Sequence, residues 1–289
     1  MITLFTDTDT DITPEIAAEY GYHLISMPYT IDDQIIYPYE DFEHFDCHAF
    51  YDRLREGVLP TTSAISVEKY KEYFEPHFAN GEEILYVHFS AAMTMTFENM
   101  DKAIEELSAK YPSAKFYTID AKAITTLALA IVLEVGDLVK AGKSIEEILK
   151  WAETEVDKYT MYFFADDLKF FKRSGRVSGL AATMGTLLGV RPIIYMSSEG
   201  KMVSIGKEKG RSKAIDRLVQ YVEELGEDVK DHRILIGHTD APDIAQEAKE
   251  ALVARFGEGL KIQFVEVNPT AGSHCGPNGV GIAFHAVHR

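Results

Sequence analysis

The sequence is short of cysteine, tryptophan and positive charge. Its 289 residues hold two cysteines and one tryptophan, and 29 Lys+Arg stand against 46 Asp+Glu. Cys47 and Cys275 are far apart and lack metal-ligand spacing, so neither a disulfide framework nor a metal site is expected. That cysteine usage suits a cytoplasmic chain. A net charge of −17 repels phosphate backbones, so nucleic acid is not an expected partner. No apolar run approaches the roughly 20 residues that span a bilayer. The stretch MITLFTDTDTDITPEI has neither a basic segment nor a long apolar core, so it does not read as a secretory signal. The spacings of a zinc protease helix, a nucleophile elbow, a phosphate-binding loop and a dinucleotide fingerprint are all missing. No catalytic residue, metal or cofactor is assigned.

What remains is an ordinary globular composition, 46% hydrophobic and 26% charged. At roughly 150 residues per domain, the length suggests two domains. Short β-branched runs alternate with helical patterns throughout. Strands are expected at 2–6, 24–29, 84–90 and 114–120, with helices starting after Thr13 and Ser66 and covering 46–55, 95–111, 124–142 and 144–158. The helix at 124–142 is apolar on most faces, which predicts burial rather than a membrane span. The pattern restarts near residue 158. Strands are then expected at 159–165, 190–196, 202–206, 233–239, 261–267 and 281–287, with helices at 166–178, 181–189, 210–225 and 242–256. The expected fold is α/β in two domains, 1–158 with a mainly parallel sheet and 159–289 with a mixed sheet, each flanked by helices.

Four features could carry chemistry. Asp7, Asp9 and Asp11 alternate like a calcium loop but lack its glycine and closing glutamate, so a turn bonded to its own backbone is the expected reading. Hydroxyls crowd two helix entrances: Thr61, Thr62, Ser63 and Ser66 in LPTTSAIS, and Ser90, Thr94 and Thr96 in SAAMTMTFEN. Helix amino termini suit anions, and hydroxyls donate to a carboxylate without fixed charge. Capping accounts for one hydroxyl per helix, not for the clusters. AGSHCGPNGVG (271–281) reads as a tight glycine loop, with His274 able to reach a cleft. Lys172, Arg173 and Arg176 gather beside glycines in FKRSGRVSG, either as an anion contact or as a solvated helix end.

In this order the pieces resemble the DegV family of bacterial fatty-acid-binding proteins over essentially the whole chain. The family's opening VTDST is similar to FTDTDTD. Its TSQPS resembles Thr62-Ser63-Ala64-Ile65-Ser66, and its LSGT resembles Met93-Thr94-Met95-Thr96. VDSK is similar to Ile119-Asp120-Ala121-Lys122, DLxYLKKGGRIS to DLKFFKRSGRVS (167–178), and LLxIKPI to LLGVRPI (187–193). GxHxGPG is similar to Gly272-Ser273-His274-Cys275-Gly276-Pro277-Asn278. The resemblance implies a long-chain fatty acid, of palmitate, stearate or oleate type, buried between two α/β domains. It implies a carboxylate held at Thr62, Ser63, Thr94 and His274, with Arg173 or Arg176 facing it. It also implies a carrier rather than an enzyme, serving a separate ATP-dependent fatty-acid kinase, with transient membrane contact. Two other readings stay open: a phosphotransferase using His274, and a lipid-independent scaffold. Two glycines of the family motifs are replaced, by Met95 and by Asn278, and Asn tolerates a left-handed backbone.

Overall fold

A computed structural model of the protein describes residues 2–166, 168–179 and 189–289. The helix expected at 181–189 falls almost wholly outside them. The chain opens with β1 (Ile2–Asp7), a 3-10 turn at Thr8–Thr10, α1 (Pro14–Tyr20), β2 (Tyr22–Ile25), β3 (Tyr29–Ile31) and β4 (Gln34–Ile36). It continues through α2 (Cys47–Arg55), β5 (Thr61–Thr62), α3 (Val67–Ala79), β6 (Glu83–His88), α4 (Thr96–Lys110) and β7 (Lys115–Asp120). Then come α5 (Thr125–Lys140), α6 (Ile145–Glu155), β8 (Tyr159–Phe164), α7 (Leu168–Ser174), β9 (Val177–Ser178), β10 (Val190–Met196) and β11 (Met202–Lys209). The chain closes with α8 (Arg211–Leu225), β12 (Arg233–His238), α9 (Pro242–Phe256), β13 (Lys261–Glu266), α10 (Pro269–Cys275) and β14 (Val280–His285).

Local chemistry sets many of these boundaries. Thr13, Ser66 and Ser144 cap α1, α3 and α6, each side chain accepting a backbone N–H of the first turn. Ser144 and Glu147 form a reciprocal capping box. The first sheet is parallel, in the order β2-β1-β6-β7. The second is mixed, in the order β13-β12-β14-β8-β10-β11-β9. The expected α/β class, with one parallel and one mixed sheet, is what the structure shows. The expected strand 24–29 is in fact two strands with Ser26–Pro28 between them. β3 pairs antiparallel with β4 and β5 in a small third sheet that the sequence reading did not contain. β11 also runs on to Lys209, past the expected 206, because its later residues alternate as a charged strand.

The cores show how the sheets are joined. Phe5, Tyr70, Phe74 and Tyr86 pack α3 and α4 on one face of the parallel sheet. Ile215, Leu218, Ile236 and Phe284 pack α8 and α9 on the outer face of the mixed sheet. A third cluster unites Leu4, Val87 and most of α5 with Met161, Ile194, Leu235 and Ala283, so α5 is buried between the sheets. Among the described residues no helix is long and apolar enough to cross a membrane.

Candidate functional site

A cavity of about 510 Å³ lies between the parallel and mixed sheets, within the ~300–1,000 Å³ usual for small-ligand sites. Its wall draws on Met27, Phe89 and Ile124 from the first half of the chain and on Met161, Phe163 and Met202 from the second. Flexible thioethers and aromatic rings suit a ligand that is apolar and irregular in shape. Thr62, Ser63, Thr94, Arg176 and His274 also line it. Met95, beside Thr94, lines the cavity and is 69% exposed, which places a mouth there.

Each polar residue has a local reason for its position. Thr62 pairs with Tyr29 across the small sheet, and that pairing turns β5 toward α10. Its Oγ1 lies 2.9 Å from His274 Nε2, although the two are 212 residues apart. His274 is not in a loop, as expected from the glycines, but in α10. Asn268 caps that helix and Pro269 begins it, an arrangement that overrides the small, poorly helical residues that follow. The glycine turn begins only at Gly276 and includes Asn278 at φ 63, a left-handed position that Asn tolerates. Thr94 Oγ1 accepts the Thr96 backbone N–H at 3.1 Å, leaving the Thr94 proton to donate.

Ser63 lines the cavity beside Thr62, whereas Thr96, which also lines it, Ser66 and Ser90 have structural partners. Thr96 accepts the Ile65 N–H at 3.0 Å, and Ser66 caps α3. Ser90 donates to the Gly200 carbonyl at 2.8 Å, tying the β10–β11 turn to the end of β6. The basic cluster divides in the same way. Arg173 donates to the carbonyls of Leu59 and Pro60 and is absent from the cavity wall, whereas Arg176 lines it.

Burial, then the charges of Arg176 and Arg173, pull the His274 imidazole down to about 4. At neutral pH it is therefore uncharged, with one nitrogen to donate and one to accept. Burial pushes the neighbouring Cys275 thiol up to about 12, so it sits on the wall as an inert thiol. The wall thus carries hydroxyl, imidazole and guanidinium donors in a lining that is otherwise largely apolar.

The alternating aspartates do not converge on a common point. Asp7 accepts from Tyr86 and the Phe89 backbone, and Asp11 accepts from Asn268 and Thr126. Asp9 goes elsewhere, to the cavity wall. Sequence reasoning missed it by treating all three as turn residues.

The comparisons match the whole fold. A family model described as "Uncharacterised protein, DegV family" matches residues 1–287. A DegV domain-containing protein of Clostridium perfringens is 31% identical over 286 residues, covering 97% of this chain and 96% of that protein. A DegV family protein from Thermus thermophilus, solved as a study of its fatty acid binding, superposes with a TM-score of 0.85 at 24% identity, covering 99% of each chain. DegV from Bacillus subtilis, described as a fatty acid binding protein, superposes with a TM-score of 0.83 at 23% identity and 99% coverage of each chain. With the family pattern matched from end to end and two sheets enclosing a cavity, the chain belongs to the DegV family.

Proposed function

We propose that the protein binds a long-chain fatty acid in this cavity, tail inward and carboxylate at Thr62, Thr94, His274 and Arg176. The observation that carries the reading is the Thr62–His274 contact on the wall of an otherwise largely apolar cavity. A 16-carbon tail has about 14 methylenes, each worth about 0.8 kcal/mol on leaving water, so burial alone could supply on the order of 11 kcal/mol before association costs. The carboxylate needs partners, because a buried unpaired charge is costly. Relatives with this fold hold such ligands: a protein from Eubacterium ventriosum is described as stearic-acid-binding, and one from Eubacterium eligens as loaded with heptadecanoic acid.

In this reading the chain is a carrier of palmitate-, stearate- or oleate-type acids and not a catalyst. Its domains divide near residue 158 and close on the tail from both sides. The mouth beside Met95 leaves the carboxylate end reachable, which suits delivery to a separate ATP-dependent fatty-acid kinase. Mass spectrometry of denatured protein purified from cells tests the reading directly, and a fatty acid of 16 to 18 carbons is the expected finding. No lipid, together with no thermal shift from palmitate or oleate, would sink it.

A further inference from the structure

The cavity contains a polar group that a plain hydrocarbon tail does not use. Asp9 lines it and is only 6% exposed, and among the described residues its closed-off Oδ1 has no hydrogen-bond partner. The neighbouring carboxyls of Asp7 and Asp11 only add to the cost of ionising it. Burial first, and those two acids second, hold the Asp9 carboxyl well above the usual range, so it is a neutral acid with a proton to donate and an oxygen to accept.

Its surroundings point the same way. The 3-10 turn carrying Asp9 packs on α5, and Thr126 of α5 donates to Asp11 at 3.0 Å. Thr125, the first residue of α5, is buried, lines the same cavity and holds φ 55, unusual for a β-branched residue. The first turn of α5 has no side-chain cap, so its amide hydrogens lack that partner. Thr62, Thr94 and His274 are partly buried, whereas Asp9 and Thr125 are buried.

We propose that Asp9, with Thr125, forms a second binding position in the cavity for an oxygen on the acyl chain, and that the preferred ligand is a hydroxy fatty acid. This rests on the fatty-acid reading and narrows it. A hydroxyl can both donate and accept, matching a neutral carboxyl, whereas a methylene strips water from Asp9 and returns nothing.

The test titrates delipidated full-length protein with stearate and with 3-, 10- and 12-hydroxystearate. At least one hydroxy acid is expected to bind about ten-fold more tightly than stearate. Asp9→Leu should abolish that preference, and Asp9→Asn, which keeps both a donor and an acceptor, should retain it. Equal binding of all four acids by the wild type overturns the inference while leaving the fatty-acid reading intact. A preference that survives in Asp9→Leu overturns it as well. Binding of none of the four overturns both. If Asp9→Leu does not fold, the wild-type series and Asp9→Asn decide.

Discussion

At the scale of single residues, the head-group site can be taken apart one donor at a time. Thr62→Ala and Thr94→Ala each remove a hydroxyl from a proposed buried anion, so each should weaken palmitate binding by ~1–3 kcal/mol in a calorimetric titration. Unchanged affinity in the double variant would move the carboxylate elsewhere. His274 adds a pH signature. Its folded imidazole sits near 4 against an ordinary histidine value of 6.5. Between those values the unfolded chain binds more protons than the folded one. The contribution is therefore fully present above pH ~6.5 and is lost as pH falls toward 4. Asp7 and Asp11, pushed up to about 7 by burial, have the opposite sign and weaken the fold as pH rises from about 4 to 7. The His274 effect must therefore be read by difference. The urea midpoint of His274→Gln should fall less than that of wild type between pH 6.5 and 4. Bringing a carboxylate beside the imidazole should also raise its pKa. Palmitate binding near pH 5 should then take up protons, seen as heats that depend on the buffer's ionisation enthalpy, and no such dependence would separate His274 from the ligand.

At the scale of elements, α10 holds His274 in place through a glycine. A Cβ on Gly272 would lie 2.4 Å from Tyr51 Oη and 2.9 Å from its Cζ. Tyr51 cannot give way, because it is fully buried and donates to the Val267 carbonyl at 3.0 Å. Gly272→Ala should therefore cost ~1–3 kcal/mol of stability and also weaken fatty-acid binding, by pushing α10 off α2. Gly206→Ala on β11, where a Cβ meets nothing within 4 Å, should stay within about 0.5 kcal/mol in the same denaturation assay. The same helix shows where reading the sequence stopped. Elements with strong caps, such as α1, α3 and α6, were legible because Thr13, Ser66 and Ser144 announce them locally. α10 was not, because PTAGSHC is too short and too poor in helix formers, although Asn268-Pro269 was an available signal. The β3–β4 hairpin was missed likewise. Asp32 and Asp33, at φ 50 and 60, turn it without the usual glycine. No local pattern brings Thr62 to His274. That contact depends on packing between distant elements, and only resemblance to a family pointed to it beforehand. Asp9 was hidden by chemistry, since an aspartate in a strand-to-helix turn ordinarily serves the backbone.

At the scale of the whole molecule, the cavity and α5 couple the two halves of the chain. α5 follows the parallel sheet in sequence yet packs on β12, β14 and β8 of the mixed sheet. The approach is close: a Cβ on Gly237 of β12 would lie 2.1 Å from Thr126 Oγ1. The apolar cluster that includes α5 runs through residues of both sheets, so losing one sheet exposes the face of the other. A ligand gripped by both walls binds the folded chain and not the unfolded one. At 100 times its dissociation constant it should add about 2.7 kcal/mol. For a chain of this size that corresponds to a rise in Tm of roughly 4–5 °C. Because α5 belongs to both halves, calorimetry of delipidated protein should show one transition, and stearate should move it as a unit. Two transitions, with stearate shifting only one, would mean that the halves unfold separately and that a single sheet holds the ligand, against a tail enclosed between them.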